Sequence, residues 1–389
     1  MWLIALIFSI FCHRAPAQVT AFAPSTYAAG TNPYSVVAAD VNGDGKLDLI
    51  CCNANLGVHL ITVLTNNGGG IFGSNVTLNV GTSPYSVVAA DINGDGELDL
   101  ISANYGDNTL TIWTNKGGGV FGFNATLSVG ASPFSVVAAD VNGDSNLDLI
   151  SANYHDNTLT IWTNKGSGIF AFSATLNVGN KPHFVVAADV NGDGKLDLIS
   201  ANSGDNSLTV LTNNGSGIFG SNATLYVWYY PDSVVATDIN ADGKLDLISA
   251  NYGANTLTVL TNNGSGVFGW YATLNVGSSP VAVTAADVNG DGRQDLVSAN
   301  TGGRSLTVLT QVSVGPPLLT TKSTNSNGTN LFIISWSSFS TGFAVQTNAD
   351  LTTTNWGTAS YPIAVAKSTN SNITITSPPP GNLFFRLKQ

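Results

Sequence analysis

The chain is poor in charge, in cysteine and in long apolar runs. Only 10% of its 389 residues are charged, and 24 acidic residues against 13 basic ones leave a net charge of −11. No basic patch exists, which excludes nucleic-acid recognition. Three cysteines, Cys12, Cys51 and Cys52, are too few to staple a chain of this length. The four histidines, His13, His59, His155 and His183, match no zinc spacing. No nucleophile elbow or oxyanion loop is present, so no catalytic residue is assigned and the chain is read as a non-enzyme. The apolar run from Met1 to Phe11 is too short to span a bilayer, and no later stretch is long enough. Followed by Ala15-Pro16-Ala17, that run reads as a signal peptide over residues 1–17 of a secreted or cell-surface protein. Cys51 and Cys52 stand where other copies of a repeat carry Ser-Ala. They are either a vicinal disulfide or, as expected here, two small buried thiols.

What the chain has is a nine-residue stretch repeated six times, starting at Asp40, Asp91, Asp140, Asp189, Asp238 and Asp287. The first step is 51 residues and the later ones are 49. Side-chain oxygens fall at positions 1, 3, 5 and 9: Asp40, Asn42, Asp44 and Asp48, then Asp91, Asn93, Asp95 and Asp99, then Asp140, Asn142, Asp144 and Asp148. The last three copies give Asp189, Asn191, Asp193 and Asp197; Asp238, Asn240, Asp242 and Asp246; and Asp287, Asn289, Asp291 and Asp295. Position 7 is Lys46, Glu97, Asn146, Lys195, Lys244 or Arg293, and it turns its backbone carbonyl inward. Alternate oxygens in a tight glycine-bearing loop suit Ca2+, a hard cation that takes six to eight oxygens. A polar turn of Asp, Asn and Gly is the plainer alternative. Position 12, Glu in a helix–loop–helix calcium site, is Cys51, Ser102, Ser151, Ser200, Ser249 or Ser298. The flanks are short and β-prone, so each loop joins two strands. Six copies of three Asp account for 18 of the 24 acidic residues. Removing Arg14 with the signal leaves 12 basic residues and a net charge of −12, which six calcium ions would balance.

A period near 49 residues implies a solenoid, a propeller or an array. The copy from Ser86 to Pro133 holds four strand-like segments, Ser86–Ala90, Leu98–Ala103, Thr109–Thr114 and Asn124–Val129. Four short strands per repeat make a propeller blade. The expected fold is therefore all-β: a six-bladed β-propeller over residues 18–313, with seven blades as the alternative. The segment Ala23 to Gly30 is expected to supply the fourth strand of the last blade and close the ring. Pro316-Pro317 marks a linker at 314–317, and residues 318–389 read as a small β-sandwich with Trp336 and Trp356 in its core.

These motifs, with Ser-Ala-Asn after each loop and the pairs Phe72-Gly73, Phe121-Gly122, Phe219-Gly220 and Phe268-Gly269, resemble the FG-GAP/VCBS repeat family of integrin α-subunit heads and many exported bacterial proteins. The resemblance covers about residues 22–313. It implies a propeller acting as a calcium-stabilised extracellular binding or adhesion module. Ser145 and Asn146 in the third loop, Ala241 in the fifth and Ala171 after Phe170 depart from the pattern, which bears on sites three and five. The C-terminal segment resembles modules on exported proteins of Verrucomicrobia-like bacteria.

Blade topology puts the loops between strands two and three, and those between blades, on the face opposite the calcium loops. That face carries Tyr105, Tyr154 and Tyr252, with Asp107, Asp156 and Asp205, and Tyr34, Tyr85, Phe134 and His183 before the inner strands. The three tyrosines are the expected ligand face, against a plain packing role between blades. The expected partner is an extracellular protein or a glycan, and the chain is expected to be a monomer. A carbohydrate-binding lectin is the alternative, and a secreted hydrolase a more distant one.

Overall fold

The computed structural model describes residues 26–55 and 58–311, together with seven strands between residues 320 and 388. The chain divides into two compact units, one through Thr310 and one from Gln311. The described residues form strands, turns and loops, with no helix among them.

In the first unit each repeat folds into one antiparallel sheet. Blade one is β1 (Pro33–Ala39), β2 (Asp48–Asn55), β3 (Val58–Asn66) and β4 (Phe72–Asn79), hydrogen-bonded in that order. Blade two is β5 (Pro84–Ala90), β6 (Asp99–Asn104), β7 (Thr109–Asn115) and β8 (Phe121–Ser128). Blade three is β9 (Pro133–Ala139), β10 (Asp148–Asn153), β11 (Thr158–Asn164) and β12 (Phe170–Asn177). Blade four is β13 (Pro182–Ala188), β14 (Asp197–Asn202), β15 (Ser207–Asn213) and β16 (Phe219–Tyr226). Blade five is β17 (Pro231–Thr237), β18 (Asp246–Asn251), β19 (Thr256–Asn262) and β20 (Phe268–Asn275). Blade six holds β21 (Pro280–Ala286), β22 (Asp295–Asn300) and β23 (Ser305–Leu309).

The fourth strand starts earlier than expected, at Phe121 instead of Asn124. The glycine-rich turn before it is tight, with Lys116 N–H donating to Val120 O and Gly117, Gly118 and Gly119 all at positive φ. Asn124 is then the extra residue of a bulge, because Ile112 opposes Ala125 and Trp113 opposes Phe123.

The core lies between blades. Val87 of β5 and Leu100 of β6 pack on Ile50, Cys52, Ile61 and Val63 of blade one. The same arrangement recurs at the four following junctions. Second strands such as Asp-Leu-Ile-Ser-Ala-Asn are therefore buried on both faces. Cys51 and Cys52 are both buried free thiols.

The junction between blades six and one differs. Val36 is 65% exposed and Leu306 is 70% exposed, whereas their counterparts Val87 and Leu110 are 4% and 0%. Among the described residues β21 and β1 lack the packing that joins every other pair of inner strands. The fourth strand expected over Ala23 to Gly30 is not formed in its described part. Residues 26–30 carry no strand, and 23–25 lie outside the described residues. Tyr27 instead donates its hydroxyl to Gly70 O and sets its ring edge against Phe72, both in blade one. It thus follows the path of a preceding outer strand, as Asn222 of β16 does in reaching Gly266 O of blade five, without pairing to β23. The lone Tyr27 anchor satisfies the hydroxyl at blade one, while strand pairing would need a full backbone ladder.

The second unit contains β24 (Thr320–Ser326), β25 (Thr329–Ser337), β26 (Ala344–Asn348), β27 (Gly357–Thr358), β28 (Ile363–Val365), β29 (Asn370–Thr376) and β30 (Phe384–Lys388). They form two antiparallel sheets, ordered β24-β25-β29-β28 and β27-β26-β30. Neither follows the consecutive order of a blade, so this unit does not supply a seventh copy.

Candidate functional site

The six loops wrap around their first carboxylate. Gly43 and Asp44 N–H donate to Asp40 Oδ1 at 2.8 and 3.2 Å, and Gly45 N–H donates to Oδ2 at 2.7 Å. Asp91, Asp140, Asp189 and Asp287 take the same three bonds. Ser145 and Ala241 hold the left-handed φ, 68° and 61°, that glycine holds elsewhere, so the two departing loops keep the shape at the expense of strain. The Asn at position 3 accepts from position 5 N–H, and the Asp at position 5 accepts from position 7 N–H, as in Asn42, Asp44 and Lys46. The side-chain oxygens of positions 1, 3 and 5 thus stay within one exposed loop. Where position 7 is Lys, its ammonium approaches the position-5 carboxylate, 2.8 Å for Lys46 on Asp44, which holds Asp44 below the usual range.

Position 9 is built differently. Asp48, Asp99, Asp148, Asp197, Asp246 and Asp295 are fully buried. Asp99 Oδ2 accepts from Ile92 N–H and Oδ1 from Asn115 N–H, and the first five copies repeat the pair of bonds. Burial pushes Asp99 and Asp148 up to about 6, helped by the like charges at positions 5 and 1 and opposed by those backbone donors. Asn115 also reaches across blades, donating Nδ2–H to Val41 O at 2.7 Å, and Asn164, Asn213 and Asn262 do the same to the loop of the blade before. The first four loops are therefore clamped from inside their own blade and from the next.

Among the described residues no three acidic, imidazole or thiol groups converge as a preformed metal cluster. The donors are nevertheless all oxygen: three carboxylates, an amide and a backbone carbonyl within nine residues. That is the donor set of a hard divalent cation. Burial raises position 9 in Asp99, Asp148, Asp197 and Asp246, and the like charges at positions 5 and 1 add to it.

Position 12 has a structural role that the sequence did not disclose. Ser102 Oγ donates to Asn104 Oδ1 at 2.9 Å, and Asn104 Nδ2–H donates to Thr109 and Thr111. The later copies repeat this buried network. The Ser-x-Asn spacing, present in five copies, was the available signal.

On the opposite face the aromatic residues do gather. Tyr34 stacks on Tyr85 at 4.3 Å, Tyr85 on Tyr105 at 4.7 Å, and Phe134 on His183 at 4.2 Å, with Tyr154 5.0 Å from His183. Tyr105 and Tyr154 are half-buried in this cluster. Tyr252 is not part of it. Blades four to six carry Ser203, Asp232 and Val281 at the corresponding places, which ends the run of rings, and Tyr252 lies exposed beside Tyr230. Asp107, Asp156 and Asp205 accept backbone N–H bonds from Thr82, Ala131 and Asn180, so they tie neighbouring loops together. His183 Nδ1 faces Asp232 Oδ1 at 3.3 Å. Burial pushes Asp232 up to about 7, and burial with Lys181 nearby pushes His183 down to about 4.

The FG-GAP-like repeat family model matches residues 40–102, 91–151, 140–200, 189–249 and 238–298, which together span 40–298, two thirds of the chain. No curated protein matches the chain. Solved structures of similar shape include the periplasmic gluconolactonase PpgL of Pseudomonas aeruginosa, with 15% identity and a TM-score of 0.56 over 73% of this chain and 83% of that one. BBS1N in complex with ARL6DN is similar at 14% identity and a TM-score of 0.54, over 91% of this chain and 96% of that one. A functionally unknown protein from Desulfotomaculum acetoxidans DSM 771 is similar at 13% identity and 0.54, over 71% and 83%. At these identities the likeness is one of fold. On the family match, the chain belongs to the FG-GAP-like repeat family.

Proposed function

We propose that the protein is an exported β-propeller that binds calcium in its repeat loops and acts outside the cell as a binding or adhesion module, without catalysis. The observation that supports this best is the loop itself. Each of the six copies concentrates three carboxylates within nine residues, in a loop clamped by a fully buried position-9 Asp. Up to six Ca2+ ions would hold those carboxylates together, and their role is structural. Export is read from the apolar run at Met1–Phe11 and Ala15-Pro16-Ala17. The propeller neighbour BBS1N is held in complex with ARL6DN, but its identity of 14% carries only the fold to this chain. Two neighbours are named as lactonases, but their identities of 11% and 15% carry no activity to this chain.

Extracellular calcium modules bind at roughly 10⁻⁴–10⁻³ M, and a ligand bound only by the folded state stabilises it by mass action. Melting should therefore rise by several degrees as calcium goes from micromolar to about 10 mM, and magnesium at the same concentration should do much less. Identical curves in calcium and in EDTA would defeat the metal reading. The second reading, a lectin, is favoured by one feature of blades four and five.

A further inference from the structure

We infer that blades four and five carry a platform for a neutral carbohydrate, formed by Trp228, Tyr229, Tyr230 and Trp270, with Tyr252 at its edge. This rests on the reading of the protein as a binding module, and it is independent of the metal.

The repeats serve as each other's controls. Where blade five begins, the chain reads Trp228-Tyr229-Tyr230-Pro231; the same place elsewhere reads Gly-Thr-Asn, Gly-Thr-Ser, Gly-Ala-Ser, Gly-Asn-Lys and Gly-Ser-Ser before its Pro. Trp270 stands where blades one and four carry Ser74 and Ser221 and blades two and three carry the exposed Phe123 and Phe172, so the residues peculiar to blade five are Trp228, Tyr229 and Tyr230. The fold works against these residues. At Gly30, Gly81, Gly130, Gly179 and Gly277 the first carbon of a side chain would come 2.6–2.8 Å from the neighbouring Asn, so glycine is what this corner accommodates. Tyr230 sits at φ 54°, where its counterparts are Asn, Ser and Lys. A bulky aromatic in the left-handed region is strained, and such strain persists where a function maintains it. The rings gain little burial in return, since the four are 44–58% exposed.

The arrangement is a surface and not scattered rings. Trp228 lies 6.3 Å from Trp270, edge to face, and 6.5 Å from Tyr229. Trp228 Nε1–H donates to Thr273 Oγ1 at 3.0 Å, which fixes the indole. Tyr252 N–H donates to Tyr230 O at 2.8 Å and Gly253 N–H to Tyr229 O at 3.0 Å, which fixes the loop against blade five. Trp113 and Trp162 differ, since they lie on third strands and donate to Asn79 O and Ser128 O of the preceding blade.

The chemistry selects the ligand. The segments 226–230 and 268–275 contain no charged residue, and the chain carries a net charge of −11. They offer no cationic side chain to pair with an anionic membrane or an acidic polysaccharide. Flat, rigid rings with polar rims offer the C–H face of a pyranose a stacking surface at low entropic cost, and the Tyr hydroxyls meet the sugar hydroxyls.

The test is affinity electrophoresis of the calcium-loaded full chain in gels containing neutral glucans, mannans or xylans, with polygalacturonate as the charged control. The protein should be retarded by at least one neutral polymer and not by polygalacturonate. The variant Trp228→Gly, Tyr229→Ala, Tyr230→Ser restores the sequence Gly130-Ala131-Ser132 of the third repeat. It should bind at least tenfold more weakly while melting at the same temperature or higher. Trp270→Ser should also weaken binding. Absence of retardation in every neutral polymer, undiminished binding by the variants, or a triple variant that melts clearly lower overturns the inference. Capture of a protein with no polysaccharide binding overturns the ligand class. A calcium-insensitive melting curve alongside intact retardation defeats only the metal reading.

Discussion

Replacing Cys51 with Ser should stabilise the propeller. In five copies a Ser Oγ–H donates to the Asn two residues on, at 2.8–3.0 Å. In the first copy that Ser is Cys51, whose thiol turns 3.5 Å from Cys52 O, and Asn53 Oδ1 is buried with no partner. An unsatisfied buried acceptor costs about 1–3 kcal/mol, and a typical net hydrogen bond contributes about 1 kcal/mol. Cys51→Ser should therefore gain about 1–2 kcal/mol, seen as a rise in Tm of about 2–4 °C. Two controls isolate the cause. Cys51→Ala removes the thiol without supplying a donor and should give no rise, and Ser102→Cys should recreate the orphan acceptor in blade two at a similar loss. Calorimetry at fixed calcium reads all three. A Ser variant no more stable than the Ala variant, together with a costless Ser102→Cys, would refute the reasoning.

Tyr154→Ala should cost about 2–3 kcal/mol in urea unfolding, because the ring packs on Phe134 and His183, whereas Tyr252→Ala should stay within about 0.5 kcal/mol. Asp232 is pushed up to about 7, so its contribution to stability is complete below about pH 4 and is lost as pH rises towards 7; His183, pushed down to about 4, contributes above its ordinary value near 6.5 and loses that as pH falls. Asp232→Asn should accordingly be favoured relative to the parent at pH 8 over pH 5, read from urea midpoints at constant calcium; an equal effect at both pH values refutes it. Asp99→Ala should destabilise even in EDTA, by about 3 kcal/mol, since it orphans two backbone donors. Asp95→Ala, at an exposed position, should leave the EDTA melting curve unchanged and lower only the response to calcium.

The propeller was legible because periodicity and turn chemistry repeat. Errors cancel when the same strand, loop and strand recur, and β6 and β7 fall within a residue of their expected bounds. The start of β8 was missed because Phe121-Gly122 reads as loop until the bulge at Asn124 is known. The expected N-terminal strand is not formed over residues 26–30 for a related reason. Composition identified residues 23–30 as strand-like, but pairing to β23 depends on tertiary contacts, and Tyr27 finds its partner in blade one. In the site, the spacing of carboxylates was plain, but not their division into a mostly half-buried position 1, an exposed position 5 and a buried position 9, the last held by the residue ending the third strand in the first five copies. Grouping Tyr252 with Tyr105 and Tyr154 followed repeat position alone. Whether rings meet depends on the first-strand neighbours, Asp232 and Val281 in place of aromatics.

Direct counting of bound calcium tests the central claim. Equilibrium dialysis of the exported form against about 2 mM calcium suits the weak affinity expected of such loops. The account predicts several ions per chain and up to six, falling by one when Asp91, Asn93 and Asp95 are all replaced with Ala. No calcium above a metal-free control protein, with full folding retained in EDTA, would contradict it.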